Sequence, residues 1–467
     1  MNFKTIFKSL KNKDMAKRLA IVIGLLIVYR FLAHVPVPMG DPITFKDAVS
    51  RLLSSSDLGS FINLVSGGGL ATFSIILVGL SPYITSSIVM QLITKVIPSL
   101  EELHNDGETG RRKINQWTRL LTVPLAILQS IAYIFILQKS VLAGNSVDYV
   151  DPTMYQWILS ITAMTAGSIC LMWIGELITE QGIGNGISTV IFASIVSQMP
   201  QMFSQLGVAL FDTSNGALEA FGWFYLPVNP TVFWIVLGLG IAVLVVLFVL
   251  VKLNEAQRIV TINYAKRVRG NRAYGGITSI LPMKLITAGV IPVIFAVAFL
   301  SLPAFVGQIM KYANMNPAFA DKMITWFTAP SQNNFTGLTP EWFIYPIAYF
   351  LLVVAFTYFY TSIIFNTKEI SENIQKQGGF IEGVRPGVAT IDYLNKTVNH
   401  LNLFGSISLG IIAMLPFITD YIFIVITGAP IGLSLSGTGL LIVVTVALEN
   451  IRQLNSRALI ITYDDYQ

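Results

Sequence analysis

The chain has 467 residues, of which 54% are hydrophobic and only 12% are charged; its mean hydropathy is +0.66 and its formal net charge is +5. A soluble domain carries about 25% charged residues, so the composition excludes a protein whose surface faces water on all sides. The single cysteine, Cys170, excludes an internal disulfide, and its apolar neighbours predict a buried, inert thiol. The three histidines lie far apart, and no residue pattern indicates a metal or another cofactor.

Ten segments are apolar and long enough to cross a bilayer, which needs about 20 such residues per helix. They cover residues 19–36, 71–97, 117–138, 154–178, 184–205, 230–252, 283–303, 343–366, 401–418 and 433–452. The pattern predicts an all-α polytopic membrane protein with ten transmembrane helices. By analogy with inverted-repeat membrane proteins, two inverted halves of five helices would surround a central pore. No small-residue cleavage site follows the first apolar run, so we expect that span to be retained.

The distribution of Lys and Arg predicts the orientation, because cytoplasmic loops of membrane proteins carry an excess of both. Basic residues concentrate before the first span and in loops 253–282 and 367–399, whereas segments 206–229 and 419–432 contain none. Both termini and the two long loops are therefore predicted to be cytoplasmic. The resulting divisions are a cytoplasmic segment 1–18, an N-terminal half 19–205, an outer linker 206–229, a C-terminal half 230–452 and a cytoplasmic tail 453–467.

Segment 58–70 is apolar but too short to span a bilayer, and it ends in three consecutive glycines. One interpretation is a re-entrant or interfacial segment packed on the helices. The other is a short helix on a glycine hinge that enters and leaves a cavity, since irregular backbone at membrane depth must be buried in protein or face water. The residues alone leave both interpretations open.

No arrangement of residues indicates an enzyme. The glycines of segment 182–186 lack the strand and helix context of a dinucleotide-binding loop and predict a tight turn between two spans. Arg30, Glu176 and Glu449 lie near span ends, where their charged groups can reach the interface. A proton- or ion-coupled transporter usually keeps a charge near the midplane, so this pattern argues against the main alternative, a secondary transporter with inverted repeats.

Several motifs, spread in order over most of the chain, resemble those of the SecY family of protein-translocation channels. The motifs are FINLVSGGGL at 61–70, GLSPYI at 79–84, GETGRRKI at 107–114, WIGELITEQGIGNGIS at 173–188, RIV at 258–260, NYAKR at 263–267, AGVIP at 288–292 and GVRPG at 383–387. The resemblance implies a passive channel that moves unfolded secretory chains across the membrane and releases transmembrane segments sideways into lipid. A motor or a ribosome would drive it from the cytosol.

The resemblance also implies the parts of the channel. An apolar ring would close the pore at Leu80, Ile84, Ile191, Ile195, Ile294 and Ile442. Two pairs in this ring are spaced i, i+4, so each pair shares one helix face. The plug of segment 58–70 would include Phe61, Ile62, Asn63, Leu64, Val65, Gly67, Gly68 and Gly69. The lateral gate would include Thr85, Gln91, Ile286 and Thr287.

Partners would dock on the cytosolic loops. The resemblance implies contacts with the SecA ATPase or the ribosome at Arg111, Arg112, Lys266, Arg267, Arg269, Arg272 and Arg385. It further implies the small membrane subunits SecE and SecG, signal peptides and nascent chains, membrane lipids, SecDF and YidC as partners, and the bacterial inner membrane as the location. The chain departs from the family at Ile286, where an Asn is frequent, at Asn271, where bacterial members have Arg, and at Val388, which replaces a Glu.

Overall fold

The computed structural model describes residues 13–38, 72–143, 153–211, 218–220, 224–264, 267–269, 272–274, 278–289, 291–313, 315–328, 340–427 and 436–464. Helices dominate these residues. They are α1 Lys13–Leu32, α2 Ser81–Val96, α3 Pro98–Asn105, α4 Gly107–Ala143, α5 Met154–Gln181, α6 Gly186–Phe211, α7 Pro230–Glu255, α8 Ile291–Tyr312, α9 Pro317–Phe327, α10 Ile344–Ile364, α11 Thr367–Lys376, α12 Val388–Thr427 and α13 Ser436–Asp464. A 3₁₀ turn, Pro340–Phe343, precedes α10.

The strands are short. They are β1 Leu218–Ala220, β2 Phe224–Leu226, β3 Gln257–Tyr264, β4 Arg267–Arg269, β5 Arg272–Tyr274, β6 Thr278–Lys284 and β7 Gly379–Ile381. β1 pairs with β2 and β4 with β5, each as an antiparallel hairpin. The other three strands form one antiparallel sheet with β3 in the centre.

Each of the ten predicted spans overlaps one of these helices. Among the described residues, six helices are by themselves long and apolar enough to cross a membrane, and α2 with α3 adds a seventh if this pair, bent by 108°, counts as one span. The apolar part of α6 is shorter, covering Gly186–Pro200, and charged residues flank the apolar parts of α1 and α13.

Two predicted spans do not begin as helix: one begins with turns and the other with the end of a strand. α2 starts at Ser81, because residues 72–80 form turns in which Phe73 and Gly79 have φ of 47° and 62°. This stretch hydrogen-bonds to the chain after α1, with the Val37 amide donating to the Phe73 carbonyl at 2.9 Å. Ile76 and Leu77 are fully buried there, so protein surrounds the irregular backbone, as membrane depth requires.

α8 likewise begins later than predicted, at Ile291 instead of residue 283. Residues up to Lys284 belong to β6, whose last pair joins Lys284 to Gln257. A turn with Gly289 at a φ of 63° then leads into the helix. The apolar residues before Ile291 therefore serve the sheet and the turn.

The chain contains two compact units. The first comprises Met1–Ile235, Val297–Pro346 and Phe417–Gln467. In it α2 packs on α4, α4 on α5, and α5 on both α1 and α6, while α13 packs on α6. Its largest described apolar cluster combines the turns before α2 with side chains of α4 and α5, including Leu77, Ile134 and Met164.

Cys170 lies on α5 and is exposed, so the prediction of a buried thiol is wrong. The neighbouring Leu171 and Met172 are 1% and 3% exposed. A helix turns by about 100° per residue, and this rotation carries Cys170 out of the packed face that its neighbours occupy.

The second unit comprises Val236–Ala296 and Ile347–Pro416. Its three-stranded sheet joins the two long loops predicted to be cytosolic, because β3 and β6 lie in loop 253–282 and β7 lies in loop 367–399. Val260, Met283, Ile381 and Leu394 form the apolar cluster beneath the sheet. The sequence pattern predicted the loops but not their pairing.

Candidate functional site

Five of the six predicted ring residues belong to the first unit, and all five are buried. Leu80 is the residue immediately before α2 and Ile84 lies in its first turn, while Ile191 and Ile195 lie on α6 and Ile442 on α13. Their exposed fractions range from 1% to 6%. The sixth residue, Ile294, belongs to the second unit, where it is half-buried near the start of α8.

The predicted lateral-gate residues lie in different settings. Thr85 and Gln91 are half-buried on α2. The Gln91 side-chain amide donates to Ser87 Oγ at 3.0 Å, whereas its Oε1 is buried without a partner among the described residues. Ile286 is buried and Thr287 Oγ1 donates to the Lys284 carbonyl at 3.1 Å. Ile286 and Thr287 lie in the turn before α8, so their predicted place on the helix itself is wrong.

The predicted plug, residues 58–70, lies outside the described residues. Its junction with the rest of the chain is described from Thr72 onward, where the Thr72 hydroxyl donates to the Ala33 carbonyl at 2.7 Å.

The described docking residues lie near the start of α4, on the β4–β5 hairpin and in the turn before α12. Arg111 and Arg112 are exposed in α4, and Arg112 forms an ion pair of 2.7 Å with Glu108 one turn earlier. Arg267 and Arg269 lie on β4 and Arg272 on β5, and Arg269 pairs with Arg272 across the hairpin. Lys266 and Asn271 lie outside the described residues.

Arg385 occupies a turn that is fixed from both sides. Gly387 has a φ of 101°, which L side chains rarely adopt. The Thr390 hydroxyl, on α12, donates to the Arg385 carbonyl at 2.9 Å, and the Ser371 hydroxyl, on α11, donates to the Gly387 carbonyl at 3.3 Å. The Arg385 side chain is exposed, so the turn presents a cation on a rigid backbone.

The structure contains an ion pair between two helices that the sequence pattern did not predict. Arg119 on α4 approaches Glu176 on α5, with 2.6 Å between Nε and Oε1. The sequence placed Glu176 near a span end and gave it no partner. The two residues are far apart in the chain, so no local pattern could have paired them.

Comparison with known proteins identifies the family. A protein-family model for SecY matches residues 74–451. The protein translocase subunit SecY of Streptomyces galbus is 37% identical over 454 residues, which cover 96% of each chain. That of Corynebacterium glutamicum is 37% identical over 463 residues, which cover 98% of each chain.

Solved structures share the fold. A protein-conducting channel matches with a TM-score of 0.61 at 19% sequence identity, covering 94% of this chain and 91% of that one. The channel of a canine ribosome–channel complex from the endoplasmic reticulum matches with a TM-score of 0.55 at 16% identity, again covering 94% and 91%.

The family match and the multiple apolar helices define a multi-pass membrane protein of the protein-translocase class, and the predicted ten-helix architecture in two halves is consistent with the fold of the solved channels. The chain belongs to the SecY family. It is therefore the pore-forming subunit of a protein translocase and not an enzyme, as the sequence predicted. The comparisons give no support to the alternative of a secondary transporter.

Proposed function

We propose that this chain conducts unfolded proteins through a pore that the six aliphatic side chains of the predicted ring close at rest. The family match from residue 74 to residue 451, which contains all six positions, carries the proposal. The burial of five of them on helix faces supports it. A narrow aliphatic wall offers water no hydrogen bonds, so it excludes water and ions yet can deform around a passing chain.

The plug in segment 58–70 is part of the same proposal. A solved structure that matches this chain with a TM-score of 0.61 at 18% identity concerns the plug domain of a SecY protein, which stabilises the closed channel and maintains a membrane seal. The three glycines at its end in this chain supply the backbone freedom that a hinge requires.

The lateral gate would lie along α2 and the turn before α8. The buried Gln91 Oε1 supports this assignment, because an acceptor without a donor costs free energy and makes the closed arrangement easier to leave. At position 286 this chain has Ile where the family frequently has Asn.

The location would be a bacterial inner membrane with both termini in the cytoplasm. Contacts within the first unit support placing α1 and the end of α13 on the same side of the membrane. Arg18 near the start of α1 donates to the Gln181 carbonyl at 3.2 Å, and Arg457 near the end of α13 contacts Gly182. The neighbouring Gln181 and Gly182 thus contact both ends of the chain.

The docking partners would be the SecA ATPase and the ribosome, with SecE, SecG, SecDF and YidC as membrane partners. Two ribosome-bound channels, one canine and one from yeast, share this fold. On this chain the exposed Arg385 on its fixed turn is the docking residue that the structure describes in most detail.

An export assay tests the function. In cells that depend on this chain, Arg385→Glu should block export of a secretory reporter and SecA binding, while the protein accumulates in the membrane at the normal level. Lys376→Glu is the matched control, because Lys376 is exposed in the same loop and has only a 3.9 Å contact with Glu372. Normal export in Arg385→Glu, or equal loss in both variants, would contradict the docking assignment.

A further inference from the structure

The C-terminal end of α5 is a site of negative charge that the helix does not neutralise itself. Its last turn contains no basic residue and does contain Glu180. The helix macrodipole adds partial negative charge at the same end. Gly182 follows with a φ of 68° and donates its amide to the Thr179 carbonyl at 2.9 Å.

Two arginines from distant parts of the chain meet this helix end. Arg18 of α1 donates Nη1 to the Gln181 carbonyl at 3.2 Å. The guanidinium of Arg457 on α13 lies where a Cβ at position 182 would stand. Cations at a helix C-terminus are favourable, so α1 and α13 supply the charges that α5 lacks.

A second contact joins α13 to the start of α6. The Asn450 side-chain amide donates to Thr189 Oγ1 at 3.3 Å, and its Oδ1 fills the place of a Cβ at Gly184, whose φ is 137°. Thr189 Oγ1 in turn donates to the Asn185 carbonyl at 2.9 Å. Side chains of α13 thus approach the junction backbone at Gly182 and Gly184, which we call the glycine seat.

Helix geometry relates these contacts of α13 to its predicted ring residue. Ile442, Asn450 and Arg457 fall within about 80° around α13, hence on one face. Contact of Arg457 with Gly182 and of Asn450 with Thr189 makes α13 antiparallel to α6. At about 1.5 Å per residue, Ile442 stands roughly 12 Å above Asn450, and Ile195 stands roughly 9 Å above Thr189.

We propose that the glycine seat is a register lock: Asn450 and Arg457 are positioning residues that hold Ile442 of α13 within about 3 Å of the height of Ile195 of α6. A slip of α13 by one residue would move Ile442 by about 1.5 Å and rotate it by about 100°, which turns it away from the side of α13 that faces the α5–α6 junction. The consequence for the pore rests on the proposed function, whereas the register itself does not.

Cross-linking measures the register. With Cys170→Ser as background, Ile195→Cys and Ile442→Cys are introduced together, and the assembled channel in native membranes is oxidised with copper phenanthroline. Gly182→Ala, Asn450→Leu and Arg457→Ala are then added separately. Each should lower the cross-link yield severalfold, and Arg457→Lys should retain most of it. Gly182→Ala with Arg457→Ala should do no more than either alone, because both remove the same contact.

Gly107→Ala is the matched control for Gly182→Ala. Gly107 also has a positive φ, 76°, but open space surrounds the position of its missing Cβ. Gly107→Ala therefore strains the backbone to a comparable degree but displaces no side chain. Yields that stay at the parent level in all seat variants, or that fall equally in Gly107→Ala, would overturn the proposal, and so would absence of the cross-link in the parent pair.

Resting ion conductance separates this proposal from the pore assignment. The seat variants, made without the two ring cysteines, should leak ions in planar bilayers, while Gly107→Ala should not. If the cross-link yield falls and conductance stays at the parent level, the register lock stands and the ring does not seal the pore.

Discussion

Arg119 Nε lies 2.6 Å from Glu176 Oε1, so an ion pair ties α4 to α5 within the helical bundle. The carboxylate side chain is 20% exposed and the guanidinium side chain 46% exposed. Solvent screens a partly buried charge less than a fully exposed one, and removal of its partner leaves the buried charge uncompensated. The pair therefore stabilises the packing of α4 on α5 more than a fully solvated pair would.

We expect Arg119→Gln and Glu176→Gln each to destabilise the purified protein, by about 1–2 kcal/mol after allowance for the exposed guanidinium. The double substitution should cost less than the sum, because it leaves no unpaired charge. Thermal unfolding in detergent measures all three. The exposed pair Arg112–Glu108 is the control, since Arg112→Gln should cost at most about 0.5 kcal/mol. Strict additivity in the Arg119–Glu176 cycle would show that the pair makes no net contribution.

The three-stranded sheet of the second unit gives a sharp test of topology. Phe380 on β7 is exposed, and position 270 lies in the sequence of the other predicted cytosolic loop, 253–282. In a Cys170→Ser background, single cysteines at these positions should resist a membrane-impermeant thiol reagent in intact cells and react after lysis. Met315 is exposed between the predicted spans 283–303 and 343–366, which places it outside by this orientation, so Met315→Cys should react in intact cells. Labelling of position 270 or 380 from outside would reverse the orientation.

Much of the fold could be predicted from hydrophobic length alone, because each apolar run must supply its own backbone hydrogen bonds in lipid. That argument fails where protein replaces lipid as the surroundings. In residues 72–80 the Phe73 carbonyl and the Ile75 amide bond to Val37 and Val35, and residues 278–284 pair with β3. Hydropathy cannot distinguish such segments from helix.

The site was less predictable, because its contacts connect residues far apart in the chain. The ring positions came from resemblance, since an isoleucine on a membrane helix carries no distinguishing local signal. The glycines at 182 and 184 did carry a signal, a turn, but the arrival of Arg457 and Asn450 depends on packing between α6 and α13. Only the three-dimensional arrangement reveals which side chains use the space that a glycine leaves.

The short helix α3 should respond to pH through His104. Burial lowers the pKa of His104 below its ordinary value of 6.5, and the nearby Arg111 and Lys95 lower it further. The folded state therefore binds the proton less well than the unfolded state, so α3 should lose stability as the pH falls through and below 6.5. A hydrogen bond and the charge of Lys95 lower the pKa of Glu101, and this contribution is lost only at lower pH.

Hydrogen exchange of residues 98–105, corrected for intrinsic rates, should thus be faster at about pH 5.5 than at about pH 7.5. His104→Gln should remove most of this difference. Equal protection at both pH values in the unmodified protein would contradict the role of His104, as would an unchanged pH difference in the variant.

The last prediction concerns the seal. A polar side chain in an aliphatic constriction offers water the hydrogen bonds that the wall lacks and so weakens the barrier to ions. Ile442→Asn and Ile294→Asn should raise resting single-channel conductance in planar bilayers and allow export of chains with poor signal sequences. Ile347→Asn is the control, because Ile347 is 50% exposed on α10 and lies outside the predicted ring.

Deletion of residues 60–66 should also raise the resting conductance, because it removes the predicted plug. The deletion combined with Ile442→Asn should fall short of additivity, since a displaced plug already implies a widened ring. Wild-type resting conductance in both Asn variants and in the deletion would show that the ring and plug are assigned to the wrong residues.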